Sequence, residues 1–175
     1  MKAYVRLALA ALMGVVLALG AANGTSAQET APKISKRQIV GTWAPASIDN
    51  VAKDGSHLQP YGANPKGIFI FARNGRFAEF LLRPDLPKYA SNDRMTGTAE
   101  ENKATVQGSV SFFGTYTVDA KNRTLILHVE GSSFPNQSGS DQKRLITKLT
   151  ADELAYTNPT PSSGVTANLV WKRVK

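Results

Sequence analysis

The sequence predicts an all-β fold: an antiparallel up-and-down β-barrel of eight to ten short strands with one short helix. Three observations carry this. Apolar-alternating runs such as 112–118, 125–129 and 145–149 follow one another with turn residues between them, and consecutive runs of that kind pair as hairpins. The stretch 98–107 alone carries paired helix start and stop signals over several turns. Strands in such a series close into a barrel or pack as a sandwich, and the apolar last run, 169–174, favours closure, because it can pair with the first strand and leave no open edge.

The first 27 residues read as an export leader. Lys2 and Arg6 precede an apolar run over 7–22, and Thr25-Ser26-Ala27 offers a small-residue cleavage site. That run is short for a membrane span; the competing reading is an uncleaved N-terminal anchor. An Ala-rich leader of this type is bacterial in character and directs the chain to the periplasm or the medium. Removing 27 of the 175 residues leaves 148, enough for one domain with a substantial core. Residues 28–38 read as a tether and 39–175 as the barrel domain.

Composition narrows the function classes. The chain has no cysteine, which excludes disulfides, thiol catalysis and Cys-ligated metal. Its net charge of +8 becomes +6 without Lys2 and Arg6, spread over the chain without a basic run that interleaves aromatics. With export, that argues against a nucleic-acid partner, and stable membrane insertion is not expected once the leader is removed.

Along the domain, Ser35 can cap one helical turn ending near Gly41. Gly41-Thr42-Trp43 opens the first strand, where Pro45 demands an edge or a bulge. Turn formers fill 53–55 and 60–65. The runs 68–73 and 76–82 flank Asn74-Gly75, the pair a type I′ turn requires. A two-residue turn there pairs Phe71 with Ala78 and Phe69 with Phe80 on one face, leaving Ile68, Ile70, Phe77, Glu79 and Leu81 on the other. Residues 83–97 form a loop. Thr98 and Glu101 make a capping box, and Gly108 stops the helix near Gln107.

The 112–130 hairpin turns about Lys121-Asn122, which sets Tyr116 opposite Leu127 and Thr115 opposite His128. One face carries Phe112, Tyr116, Val118, Leu125, Leu127 and Val129. The other carries Phe113, Thr115, Thr117, Ile126, His128 and Glu130. A further hairpin over 143–157, a Pro/Ser loop over 158–164 and the final strand complete the series. Trp43 and Trp171 are expected to be buried where the first and last strands meet.

Several motifs in this order are similar to a known family. They are Gly41-Thr42-Trp43, Pro65-Lys66-Gly67, the Asn74-Gly75 hairpin and Leu82-Arg83-Pro84-Asp85, then Phe113-Gly114-Thr115-Tyr116-Thr117-Val118-Asp119. His128-Val129-Glu130-Gly131-Ser132, Phe134-Pro135-Asn136, Gln142-x-Arg144 and Leu169-Val170-Trp171-x-Arg173-Val174 follow. The stretch from Ile39 to Val174 resembles the bacterial lipocalin-like domain family, whose glycine-x-tryptophan opening it shares. The resemblance implies a lipocalin-type barrel around a central cavity. Pro45 and the Arg73/Arg76 pair depart from the pattern.

Catalytic chemistry finds little purchase. The chain has no Gly-x-Ser-x-Gly elbow. Of its two histidines, His57 lies by a turn in solvent, and His128 with Glu130 supplies only two of the three or four ligands a zinc ion needs. No metal and no cofactor is expected. The reading is therefore a carrier for a small, largely hydrophobic molecule, with Phe69, Phe71, Phe80, Tyr116, His128, Glu130 and Arg144 as ligand-binding residues. The alternative is a cofactor-independent isomerase, cyclase or hydrolase using His128 and Glu130 for acid–base work. An envelope adaptor acting through its basic surface is a third reading. Period-2 alternation leaves open which face of the 125–130 strand points inward; if the polar face does, Arg144 is the natural partner for Glu130.

Overall fold

The computed structural model describes residues 33–175; the leader and the start of the tether fall outside the described residues. In chain order the elements are α1 (Lys36–Ile39), β1 (Gly41–Val51), β2 (His57–Leu58), β3 (Lys66–Phe71), β4 (Arg76–Leu82), α2 (Ala99–Gln107), β5 (Ser109–Asp119) and β6 (Thr124–Ser132). A 3₁₀ turn at Pro135–Gln137, then β7 (Asp141–Leu149), β8 (Glu153–Asn158) and β9 (Thr166–Arg173), complete them. Each strand pairs antiparallel with the next, and β9 pairs back onto β1, closing an eight-stranded barrel. The two-residue β2 only extends the end of β1.

Local chemistry accounts for the helices. Thr98 Oγ1 accepts from the Glu101 amide at 3.2 Å and Glu101 Oε2 accepts from the Thr98 amide at 2.8 Å, so two donors at the start of α2 are satisfied reciprocally. The Gly108 amide donates to the Ala104 carbonyl and ends it. At α1, Gln38 Oε1 reaches back to the Ser35 amide at 2.7 Å. Ile34 is already buried in the core, ahead of residue 39, where the sequence reading begins the domain.

The closing seam is built by Trp43, Pro45, Trp171 and Arg173. Trp43 lies opposite Arg173 and Pro45 opposite Trp171, with a bulge between Pro45 and Ser47. A residue without an N–H cannot hold an unbroken ladder, so the bulge falls where the proline requires it. Both indoles are wholly buried. Trp43 Nε1 donates to the Ile39 carbonyl at 2.9 Å, and Trp171 Nε1 donates to Tyr156 Oη at 3.1 Å. The Arg173 guanidinium sits 4.0 Å above the Trp43 ring and donates to the carbonyls of Val40 and Gln38 at 2.7 and 2.6 Å. One side chain thus ties the last strand, the first strand and α1 together.

Strands β5 and β6 pair in the expected register, Tyr116 with Leu127 and Thr115 with His128. A bulge between Phe113 and Gly114 follows from close approach: a Cβ at Gly114 would stand 2.0 Å from the His128 carbonyl oxygen. The apolar face is the inner one.

The β3–β4 hairpin differs from expectation by one residue. Phe71 pairs with Phe77, Phe69 with Glu79 and Ile68 with Phe80. The Ala72 amide donates to the Arg76 carbonyl and the Gly75 amide to the Ala72 carbonyl, and Gly75 holds φ 89°. The turn therefore has three residues, with glycine in the left-handed position of a bulge. A slip of one residue exchanges the faces of a strand. Phe69, Phe71, Phe77, Glu79 and Leu81 are consequently buried, whereas Phe80, expected inside, is 48% exposed on the outer wall.

Candidate functional site

The two ends of the barrel are different. At the end carrying α1 and the β3–β4 turn, aromatic rings fill the interior. Phe69 stacks within 4.1 Å of Phe71 and 5.2 Å of Trp171, and Phe71 lies edge-on to Tyr116 at 4.9 Å. Tyr116 Oη donates to the Ala72 carbonyl at 3.0 Å. Phe69, Phe71 and Tyr116 are therefore a solid floor packed against itself and do not line open space.

Above that floor a cavity of about 820 Å³ opens toward the other end. Its apolar wall includes Ile48, Leu81, Val110, Phe112, Ala167 and Leu169. Strand alternation puts each of these inward. Tyr61, the last turn of α2, Phe134 and the loop 161–163 frame the mouth. Leu58, Val106 and Phe134 stand there as an apolar lip, exposed by 65%, 75% and 38%.

Buried polar side chains line it as well: Asn50, Gln137 and Asn158, and the electrostatically coupled set of Glu79 on β4, Arg144 on β7 and Tyr156 on β8. Glu79 is buried to 2% and Arg144 to 3% exposure. Burial pushes the Glu79 carboxyl up to about 7, and the Arg144 charge opposes that rise. Yet no direct ion pair joins the two, and Glu79 Oε2 has no hydrogen-bond partner. Arg144 donates to the Lys143 carbonyl at 3.0 Å and lies 5.8 Å from the centre of the Tyr156 ring. The phenols respond to the same surroundings. Burial, followed by the Glu79 charge, raises Tyr61 to about 12 and carries Tyr156 higher still.

Glu79 makes stability depend on pH. Its folded value lies above the unfolded one, so between about pH 4.5 and 7 the native state holds more protons than the unfolded chain. Stability from this group is therefore lost as pH rises through that window, by about 3 kcal/mol. Glu79→Gln removes the contribution. Urea denaturation at pH 4.5 and pH 8 should show the parent losing about that much relative to the variant; parallel profiles would mean Glu79 is not a buried acid.

The remaining sequence candidates lie elsewhere. His128 and Glu130 point outward, because the apolar partners that alternate with them take the inside. His128 Nδ1 pairs with Asp141 at 2.6 Å and its Nε2 meets Thr117 Oγ1 at 3.3 Å. Glu130 accepts both arms of the Arg76 guanidinium at 2.9 Å each. Both Arg76 and Glu130 are nearly half exposed, so the pair is worth no more than about 1 kcal/mol. His57 pairs with Asp49 at 2.5 Å, also in solvent. The trio of His128, Glu130 and Arg144 does not assemble. Of the seven residues named from the sequence, Arg144 alone lines the cavity, and its charge faces Glu79 rather than Glu130. Among the described residues no group of three or more His, Asp or Glu side chains is arranged to hold a metal ion.

Residues 40–174 match the lipocalin-like domain family. The chain belongs to it. A curated relative, the 4′-hydroxy-3′-methoxypropiophenone carrier protein of Aspergillus oryzae, is 28% identical to this lipocalin-like domain over 104 residues, 54% of this chain and 93% of that protein. Among solved structures, a lipocalin-like protein from Bacteroides uniformis aligns at 13% identity and TM-score 0.44, covering 78% of this chain and 99% of that one. A redesigned β-barrel aligns at 13% identity and TM-score 0.41, with 80% and 95% covered.

Glu79 and Tyr156 are site residues that sequence reasoning passed over; for Glu79 a signal was present. That signal was parity: Glu79 shares a row with Phe77 and Leu81, and a carboxylate in an apolar row is the kind of polar group a ligand site uses.

Proposed function

We propose that this lipocalin-like domain is an exported carrier for a small, largely hydrophobic molecule held in the barrel cavity. The observation that carries the reading is the 820 Å³ apolar cavity with an exposed apolar lip, closed below by a solid aromatic floor. Such a space removes most of a small molecule's apolar surface from water, at about 25 cal/mol for each Å². The relative named as a carrier supports the same reading, since its named ligand is an aromatic ketone with small polar substituents. Delivery to the periplasm or the medium rests on the basic residues, apolar run and cleavage site of the first 27 residues. No helix of the described residues is long and apolar enough to cross a membrane.

One measurement tests both parts. The full-length chain is expressed in a bacterial host, recovered by osmotic release and analysed by native mass spectrometry. The expected spectrum shows a chain beginning at Gln28 with a non-covalent adduct of a few hundred daltons. A chain that is ligand-free from every host and growth medium would sink the carrier reading. A chain that stays with the cells, its leader intact, and is missing from the released fraction would sink export.

A further inference from the structure

The polar trio in the depth of the cavity says more about the ligand than that it is apolar. Glu79 is 98% buried, lines the cavity and leaves Oε2 without a hydrogen-bond partner. A buried acceptor in that state is costly. Arg144, on a different wall of the same cavity, is close enough for its charge to act on Glu79 but makes no ion pair with it. Arg144 spends one donor on the Lys143 carbonyl and another on the Tyr156 hydroxyl, and a guanidinium has five.

A head group between the two must satisfy a carboxylate and a guanidinium together. An amine would give its protons to Glu79 but meet the Arg144 charge. A carboxylate would suit Arg144 and be repelled by an ionised Glu79. A ketone or ether accepts from Arg144 and offers nothing to an ionised Glu79. A hydroxyl donates through its proton and accepts through its lone pairs, and it stays complementary if Glu79 takes up a proton and becomes the donor.

We infer that the cavity of this lipocalin-like domain selects alcohols or phenols, the hydroxyl bridging Glu79 and Arg144 while the apolar body lies against Leu81, Phe112 and Leu169. The inference rests on the carrier reading and narrows its ligand class. It also gives the buried Glu79 and Arg144 a role in a largely apolar cavity: a site built to hydrogen-bond a hydroxyl discriminates strongly against the analogue that lacks it.

The test uses three probes with one body: 4-phenylphenol, 4-methoxybiphenyl and biphenyl-4-carboxylate, titrated into the leader-free chain by isothermal calorimetry at pH 7.5. The phenol should bind at least about tenfold tighter than the ether, which is about 1.4 kcal/mol, and tighter than the carboxylate. Glu79→Leu, which fills the same space without a polar group, should bring phenol and ether within about twofold of each other. Equal affinity for phenol and ether in the parent would overturn the hydroxyl clamp while leaving the apolar carrier standing. A preference for the carboxylate would make Arg144 an anion site instead. A phenol preference that survives in Glu79→Leu would remove Glu79 from the site. If none of the three binds, the carrier reading fails and the inference goes with it.

Discussion

Arg144→Ala should destabilise the domain at both pH 8 and pH 5, and by about 1 kcal/mol more at pH 8. Arg144 is 3% exposed, and its charge is the one influence holding down the rise that burial forces on Glu79. Truncating it leaves the buried Glu79 carboxyl without the one charge that favours its ionised form. Glu79 relieves part of the loss by taking up a proton, so the penalty must grow with pH. The buried stem packed beside Tyr156 contributes the part that persists in acid. Glu79→Gln with Arg144→Met, which removes both charges and keeps the volume, should cost less than Arg144→Ala alone. Chemical denaturation of the three chains at both pH values reads all of this. An Arg144→Ala variant as stable as its parent at pH 8 would contradict the arrangement.

Trp43→Ala should be at least as damaging, at about 3–5 kcal/mol, and insensitive to pH. The ring is wholly buried, donates to the Ile39 carbonyl and carries the Arg173 guanidinium on its outer face. Removing it opens a void at the floor, orphans a buried carbonyl and takes away the surface on which the last strand is tied to α1. Trp43 does not line the cavity, so binding of a probe to the surviving folded fraction should be unchanged. Thermal unfolding followed by calorimetry, with the intrinsic emission of the parent as reference, measures the loss. Solvent-exposed, freely quenched emission from both tryptophans of the parent would count against a buried seam.

The sequence announces some of this architecture and hides the rest for physical reasons. The β5–β6 hairpin was legible because Phe112, Tyr116, Leu127 and Val129 alternate with polar neighbours, and only one register hides them together. The β3–β4 hairpin was not. Ile68, Ile70 and Phe80 are as apolar as Phe69, Phe71 and Phe77, so hydrophobic pattern does not choose between registers. Asn74-Gly75 serves a two-residue turn and a three-residue bulged turn alike. That ambiguity alone moved Phe80 out of the interior and brought Glu79 in. In β7 the alternation of Gln142, Arg144 and Ile146 against Asp141, Lys143 and Leu145 offers no apolar face at all, and the basic residue goes inward because the carboxylate waits there. His128 is one of two histidines and Glu130 lies two residues on, yet their outward row follows from the clean inward row beside them.

The closing contact between β1 and β9 also carries the largest loop-closure cost of the strand pairings. Trp43 and Arg173 are partners about 130 residues apart in the chain, whereas most other strand pairs are joined by short turns or loops. Bringing such distant segments together costs about 3 kcal/mol more loop entropy than closing a turn of about five residues. The hairpins can therefore assemble first and the seam last. Until it forms, the chain is a curled sheet with two bare rims, and the Trp43 rim cannot be sealed by any neighbour in sequence. A polypeptide in that condition is vulnerable to edge-to-edge association with its own copies. Arg173 bears on this interval as well as on the finished barrel: by gripping Gln38 and Val40 as it covers Trp43, it converts a chance meeting of two ends into a latch.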